Sequence, residues 1–208
     1  MEESISLGWN CDSASYGVTN GIRSTKQNGY KTCVFDEMIT NYPGIVECIK
    51  NDFEGIVNLE YIELIRIPKE STYLNTNGKG DIVIYNNRYK FIFNHESPGH
   101  ANLYITQNWK HGKKHYIMDN FKEFILRYTR RIQNIKEYLS SDKFIHFILT
   151  RPNTKEEDIF LLGNTIKEKY PLLKYNFVLL DYDKNIFYKH LLLMKFTEED
   201  PEVKKINI

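Results

Sequence analysis

The segment around Cys11 combines the features that a nucleophilic thiol needs. Gly8 precedes Cys11 by three residues, between a short predicted strand at 5–8 and a predicted helix, and glycine permits a sharp turn there. Amide groups at the start of a helix would lower the pKa of the thiol and could hold an oxyanion, with Asn10 as a further donor. A buried cysteine that packs as a small apolar residue fits the same pattern, so both interpretations stay open.

His95 is a candidate partner for this thiol, because imidazole is the usual base for a cysteine nucleophile. It follows the apolar run at 90–94, at a change from strand to loop where site residues are common. A surface histidine beside Glu96 is the alternative interpretation. Asp36 ends another apolar run and could orient His95 or cap a helix, and capping is the commoner role.

Arg130 and Arg131 are neighbours in the long predicted helix of the last third of the chain. Adjacent helical side chains point about 100° apart, so at most one of the two arginines faces the interior well. A buried guanidinium needs a carboxylate or a bound anion. We therefore expect one arginine to be buried against the Cys11 loop or one of two acidic residues, Asp36 and Asp52.

Composition indicates a folded chain without a strong electrostatic preference. The 208 residues are 41% hydrophobic and 14% aromatic, which argues against disorder. The net charge of +1 favours neither nucleic acid nor an anionic membrane as a partner. The N-terminal segment has no signal-peptide pattern, and the apolar runs are too short to span a bilayer. We expect a cytoplasmic protein.

The number of cysteines indicates free thiols. The chain has three of them, Cys11, Cys33 and Cys48, and an odd number without a secretory signal indicates a reducing compartment. There is no Cys-x-x-Cys pair, and the neighbouring His95 and His100 come without a further ligand set. We expect neither a metal nor a cofactor.

The last third of the chain is the most regular. An amphipathic helix is predicted over 118–139, because apolar residues recur along one stripe. Strands at 143–150 and 175–181 flank a helix at 155–170, which makes a βαβ unit with parallel strands. We expect the strand at 5–8 to join this sheet, with helix 118–139 packed on it.

The whole chain predicts a single α/β domain over 1–208, with a layered mixed sheet and a frayed tail after about residue 197. Turn chemistry at 86–88 predicts a hairpin. Helices and strands are also predicted at these positions: helices at 13–21, where Gly17 weakens the pattern, and 45–53; strands at 61–67, 81–85, 89–94 and 103–106.

Several motifs together resemble a known family. The opening Ser6-Leu7-Gly8-x-x-Cys11, followed by Ala14, Gly21-Ile22-Arg23 and Phe35-Asp36, is similar to the start of a family described as putative papain-like cysteine peptidases, found in bacteria and large DNA viruses. Three later motifs extend the resemblance over nearly the whole chain: Cys48-Ile49-x-Asn51-Asp52-Phe53, Phe93-Asn94-His95 and Tyr128-x-Arg130-Arg131-Ile132. The chain departs from the family around Phe35-Asp36, where Val34 replaces a proline and Glu37 an aromatic residue.

The resemblance implies that Cys11 is the nucleophile and His95 the base, with an Asp or Asn such as Asp36 as orienter. It also implies an α+β papain-like fold with a mostly antiparallel core, which is the alternative to the layered α/β fold. A peptidase or isopeptidase would act on a protein or peptide substrate. In a viral protein, the expected location becomes the cytoplasm of the host.

A different class of function stays open. The turn from Gly8 to Cys11 could hold a nucleotide phosphate or another anion, helped by Arg23 and by Arg130 or Arg131. The chain would then be a binding module without catalysis, and a viral member could bind a host protein. A scaffold protein is the third alternative. The sequence indicates no oligomeric state.

Overall fold

The computed structural model describes residues 2–8, 11–67, 81–99, 107–150 and 156–180. The helices are α1 (Asp12–Thr19), α2 (Tyr42–Lys50), α3 (Met118–Leu139) and α4 (Glu156–Lys169). The strands are β1 (Glu2–Ser6), β2 (Ile62–Ile67), β3 (Asp81–Asn86), β4 (Phe91–Ile92), β5 (Phe144–Thr150) and β6 (Lys174–Leu180). Asn10, the predicted strand at 103–106 and the predicted frayed tail lie outside the described residues.

The first sheet is parallel and has the order β1-β5-β6. Ile5 of β1 pairs with Phe147 of β5, which in turn pairs with Phe177 of β6. Helix α4 connects β5 to β6, so the predicted βαβ unit and its parallel sheet are confirmed. Helix α1 packs on β1 and β5, and Gly17 permits this because a Cβ there would lie 2.8 Å from the Ser4 hydroxyl.

The second sheet is antiparallel and has the order β2-β3-β4. The predicted hairpin is confirmed, although β4 is only two residues long. After β4 the chain enters the 3₁₀ turn Asn94–Glu96, which carries His95. The protein is thus a mixed α/β fold as predicted, but its parallel and antiparallel strands form two separate sheets.

A short bridge brings the Asp36 segment beside the strand that leads to His95. The amide of Ile39 donates to the carbonyl of Ile92 at 2.8 Å, and the amide of Ile92 donates back at 3.0 Å. Asp36 lies three residues before Ile39 and His95 lies three residues after Ile92. The bridge therefore places both residues in the same region of the molecule.

Helix α3 has the predicted bounds but an irregular first turn, where Asp119, Asn120 and Phe121 have left-handed backbone angles. Its Phe124 and Tyr128 rings each lie 4.7 Å, between ring centroids, from the Phe93 ring. Helix α3 therefore packs against the residues that lead into the His95 turn. Its Ile135 and Leu139 side chains belong to the same hydrophobic core as Ile145 and Phe147 of β5.

Candidate functional site

The turn before Cys11 requires glycine. Gly8 has a φ of +93°, and a Cβ at this position would lie 1.8 Å from Oγ1 of Thr40. Two hydroxyl groups hold the turn: Thr40 donates to the Leu7 carbonyl at 3.2 Å, and Ser13 donates to the Gly8 carbonyl at 2.5 Å. These contacts fix the chain immediately before α1, whose N-cap is Cys11.

Cys11 and His95 line one cavity of about 470 Å³. The cavity also contains the predicted Asp36 and Arg23 in its lining, so four of the candidate residues come together. The remaining lining residues include two charged side chains and five uncharged ones: Lys26, Glu37, Ala14, Ser15, Val18, Thr19 and Thr32. Arg130 and Arg131 are not among them.

The three cysteines differ in accessibility. Cys11 is half-buried, whereas Cys33 and Cys48 have no exposed surface. Burial raises the pKa of the Cys11 thiol, the carboxylates of Asp12 and Glu37 act in the same direction, and only the Cys11 backbone amide opposes them. The backbone amide at the helix N-terminus thus lowers the pKa in the predicted direction, but burial and the two carboxylates outweigh it. Because the resting thiol holds its proton at neutral pH, reaction at Cys11 needs a base.

Asp36 is fixed in the cavity wall by three donors. Its carboxylate accepts from Arg23 Nη1 at 3.0 Å, from the Tyr30 hydroxyl at 2.9 Å and from the Cys33 amide at 2.7 Å. Burial raises the pKa of Asp36, and Arg23 is the strongest opposing influence. The guanidinium of Arg23 also lies over the Tyr30 ring. These contacts position Asp36 in the cavity, while its role as orienter of His95 stays a prediction.

Glu37 is a second carboxylate in the cavity wall, and the sequence did not single it out. It accepts from Arg127 Nη2 at 2.8 Å and from Arg131 Nη2, and Lys26 Nζ lies 3.6 Å from its other oxygen. Burial would raise the pKa of Glu37, but Arg131, Arg127 and Lys26 outweigh it and lower the pKa to about 2. Glu37 is therefore ionised throughout the physiological pH range.

Glu96 follows His95 and is fully buried. It accepts from the Tyr128 hydroxyl at 2.9 Å, and its other oxygen lies 2.7 Å from Arg127 Nε and 3.6 Å from Arg131 Nη1. Four charged side chains thus form one cluster, which we call the α3 ion cluster: Glu37, Glu96, Arg127 and Arg131.

The expectation of one buried arginine in the 130–131 pair is confirmed for Arg131, which is 2% exposed, whereas Arg130 is exposed. Arg131 forms ion pairs with Glu37 and Glu96 and donates to the Tyr128 hydroxyl at 3.3 Å. The predicted contact with Asp36 is not among these, and Asp52 pairs with Lys136. The sequence held one signal for this cluster: Arg127 precedes Arg131 by four residues, a spacing that places both on one face of a helix.

The described part of the chain contains no group of three or more His, Cys, Asp or Glu side chains that could hold a metal ion. Among its helices, none has the length and apolar character needed to cross a membrane.

The cavity places a thiol and an imidazole in one pocket, which is the kind of site that nucleophilic cysteine chemistry requires. The chain belongs to the family described as "Putative papain-like cysteine peptidase", whose model matches residues 2–185. This finding confirms the resemblance seen in the motifs. No curated protein and no solved structure matches the chain.

Proposed function

We propose that the protein is a cysteine-dependent hydrolase that cleaves a peptide or isopeptide bond, with Cys11 as nucleophile and His95 as base. The observation that carries the proposal is the shared cavity, which both side chains line. Family membership supports the same chemistry. The half-buried Cys11 is also the most accessible of the three thiols.

In the proposed reaction, His95 removes the Cys11 proton as the sulfur attacks the carbonyl carbon. The amides of Cys11 and Asn10 stabilise the oxyanion of the tetrahedral intermediate. The C–N bond then breaks, and protonated His95 gives its proton to the leaving amine, which leaves a thioester on Cys11. Water, deprotonated by His95, hydrolyses the thioester, so that the acid is released and the thiol is restored.

The environment of Cys11 supports attack assisted by a base rather than a preformed thiolate. Burial, Asp12 and Glu37 all raise the pKa of the thiol, so the thiolate forms only when a base accepts the proton. His95 is the histidine in the cavity lining. In this proposal Asp36 holds the imidazole or the loop beside it.

The alternative of an anion-binding module has less support. Each cation in the cavity lining lies against a carboxylate, with Arg23 at 3.0 Å from Asp36 and Lys26 at 3.6 Å from Glu37. A site built for phosphate would present cations that are not neutralised by neighbouring carboxylates. The pairing of charges in the cavity wall therefore favours a hydrolase over a nucleotide-binding module.

Thiol alkylation tests the proposal without a known substrate. The rate of iodoacetamide labelling at pH 7 is measured for each cysteine by peptide mass spectrometry. We expect Cys11 to label much faster than Cys33 and Cys48, which are fully buried. We expect His95→Ala to slow Cys11 labelling by about tenfold, since the base that accepts the thiol proton as the sulfur attacks is then missing. His111→Ala, a histidine outside the cavity lining, is the matched control.

Turnover is measured in parallel on a fluorogenic peptide library and on isopeptide-linked conjugates. Cys11→Ser should abolish any cleavage while it leaves the melting temperature unchanged within about 2 °C, because the substitution nearly conserves volume. A His95→Ala variant that labels at the wild-type rate, or a Cys11→Ser variant that still cleaves, would overturn the proposal.

A further inference from the structure

Two arginines of α3 each contact the same two carboxylates. Arg127 donates to Glu37 Oε2 at 2.8 Å, and its Nε lies 2.7 Å from Glu96 Oε1. Arg131 donates to the same oxygen of Glu37, and its Nη1 lies 3.6 Å from Glu96 Oε1. Each guanidinium therefore bridges Glu37 and Glu96.

The two carboxylates belong to the two chain segments that carry the candidate site. Glu37 lines the cavity and follows Asp36, while Glu96 follows His95 within one 3₁₀ turn. Glu37 also lies close enough to Cys11 to influence its thiol electrostatically. The arginines thus join the cavity wall near the thiol to the turn that holds the imidazole.

The ion pairs that form these bridges are deeply buried. Glu96 has no exposed surface, and the Arg131 side chain is 3% exposed. Charges that are buried this deeply are stable only with close partners, since an unpaired one carries a large desolvation cost. The planar guanidinium has five donors in a fixed geometry, so it can hold two carboxylates at a fixed spacing, which a single ammonium cannot.

We propose that Arg131, together with Arg127, is a positioning residue that sets the spacing between Cys11 and His95 through Glu37 and Glu96. This inference rests on the proposed function, because it assumes that His95 activates Cys11. Arg131 does not line the cavity, so it acts through the two carboxylates and not on a substrate.

The test measures how strongly His95 controls Cys11 in three backgrounds of the full-length chain. Iodoacetamide labelling of Cys11 at pH 7 is compared with and without His95→Ala in the wild type, in Arg131→Met and in Arg130→Met. Arg130 is the matched control, because it is the adjacent arginine on the same helix and is exposed. Circular dichroism and thermal melting establish that each variant is folded.

We expect His95→Ala to slow labelling about tenfold in the wild type and in Arg130→Met, and less than about twofold in Arg131→Met, where the imidazole no longer reaches the thiol. A general loss of structure would expose Cys33 and Cys48 to the reagent as well, and a positioning role leaves those two buried thiols unreactive. An undiminished effect of His95→Ala in Arg131→Met overturns the positioning role and leaves the proposed function intact.

If His95→Ala does not slow Cys11 labelling in the wild type, both the proposed function and the positioning role are overturned. If Arg131→Met does not fold, Arg131→Lys replaces it, since it keeps a positive charge in the core but can bridge only one carboxylate. In Arg131→Lys, we expect the factor by which His95→Ala slows Cys11 labelling to fall to less than half of its wild-type value. A full His95 effect in folded Arg131→Lys overturns the positioning role.

Discussion

The Nε atom of Arg127 lies 2.7 Å from Oε1 of Glu96, the residue that directly follows His95. The same Glu96 accepts from the Tyr128 hydroxyl on its other oxygen. Because Glu96 is fully buried, the Tyr128 hydrogen bond and the ion pair with Arg127 offset part of the hydration that its carboxylate loses on folding. Loss of one member of the α3 ion cluster would therefore leave a buried charge without a close partner.

Removal of one member of this cluster should lower the stability of the fold. Arg131→Met leaves Glu37 and Glu96 to share Arg127, and we expect it to lower the free energy of unfolding by about 3–5 kcal/mol, as for other broken buried pairs. Arg130→Met removes the same charge from an exposed position and should change it by less than about 0.5 kcal/mol. Urea denaturation at pH 7 measures the free energy of unfolding of both variants. Equal losses in the two would contradict the assignment of Arg131 to a buried ion cluster.

Asp12 should tune the reactivity of Cys11. Its carboxylate lies in the first turn of α1 and, after burial, is the largest influence that raises the pKa of the thiol. Asp12→Asn should therefore move the pH profile of Cys11 alkylation to lower pH and speed labelling at pH 7 by about two- to fivefold, since a like charge is removed. Asp142→Asn, at an exposed position, is the matched control and should leave the profile in place. A profile that moves to higher pH would show that Asp12 does not act electrostatically on the thiol.

Local periodicity explains why the parallel sheet could be predicted. The β5-α4-β6 unit is visible in the apolar pattern of consecutive residues, and the parallel pairing of its strands follows from general rules. The left-handed turn at Asp119–Phe121 could not be predicted, because non-glycine residues avoid this conformation unless tertiary contacts impose it.

The candidate site was predictable only in part. Cys11 and His95 stand out by residue type and by their place at element ends, and the cavity brings them together. Glu37 pairs with Arg131, a residue 94 positions away, and no local pattern reports such a contact. The net rise in the Cys11 pKa could not be predicted for the same reason, since burial and the Glu37 carboxylate become visible only in three dimensions.

Glu37 should make the protein sensitive to acid. A carboxyl whose pKa is lower in the folded than in the unfolded state stabilises the fold above its unfolded pKa, and this stabilisation is lost as the pH falls through its folded pKa. For Glu37 these values are 4.5 and about 2, a difference that corresponds to at most about 3 kcal/mol. The stabilisation should disappear between pH 4.5 and 2.

The variant Glu37→Gln isolates this contribution. We expect its free energy of unfolding, measured by urea denaturation from pH 7 to pH 2.5, to fall less with acid than that of the wild type. Asp36 acts in the opposite direction, because burial raises its pKa, and it is unchanged in both proteins. Glu168→Gln, at an exposed position, is the control and should follow the wild-type curve. If the free energy of unfolding falls equally with acid in the wild type and in Glu37→Gln, Glu37 is not the source of this acid sensitivity.

Gly8 should be the least replaceable glycine near the site. A Cβ at Gly8 would lie 1.8 Å from Thr40 Oγ1, and the φ of +93° is itself unfavourable for other residues. Gly8→Ala therefore combines a backbone penalty with a steric clash, and we expect a loss of about 3 kcal/mol in the free energy of unfolding. The turn before Cys11 must shift to relieve the clash, so the alkylation rate of Cys11 should change as well.

Gly21 separates the two contributions to this effect. It also has a positive φ, +68°, but a Cβ there would meet no atom within 4 Å. Gly21→Ala should therefore cost only the backbone penalty of about 1–2 kcal/mol and leave the Cys11 alkylation rate unchanged. Combining Gly8→Ala with Thr40→Ala removes the hydroxyl that lies in the way, and this double variant should recover part of the lost stability. Equal destabilisation by Gly8→Ala and Gly21→Ala, with no recovery in the double variant, would mean that Thr40 does not hold the turn that presents Cys11.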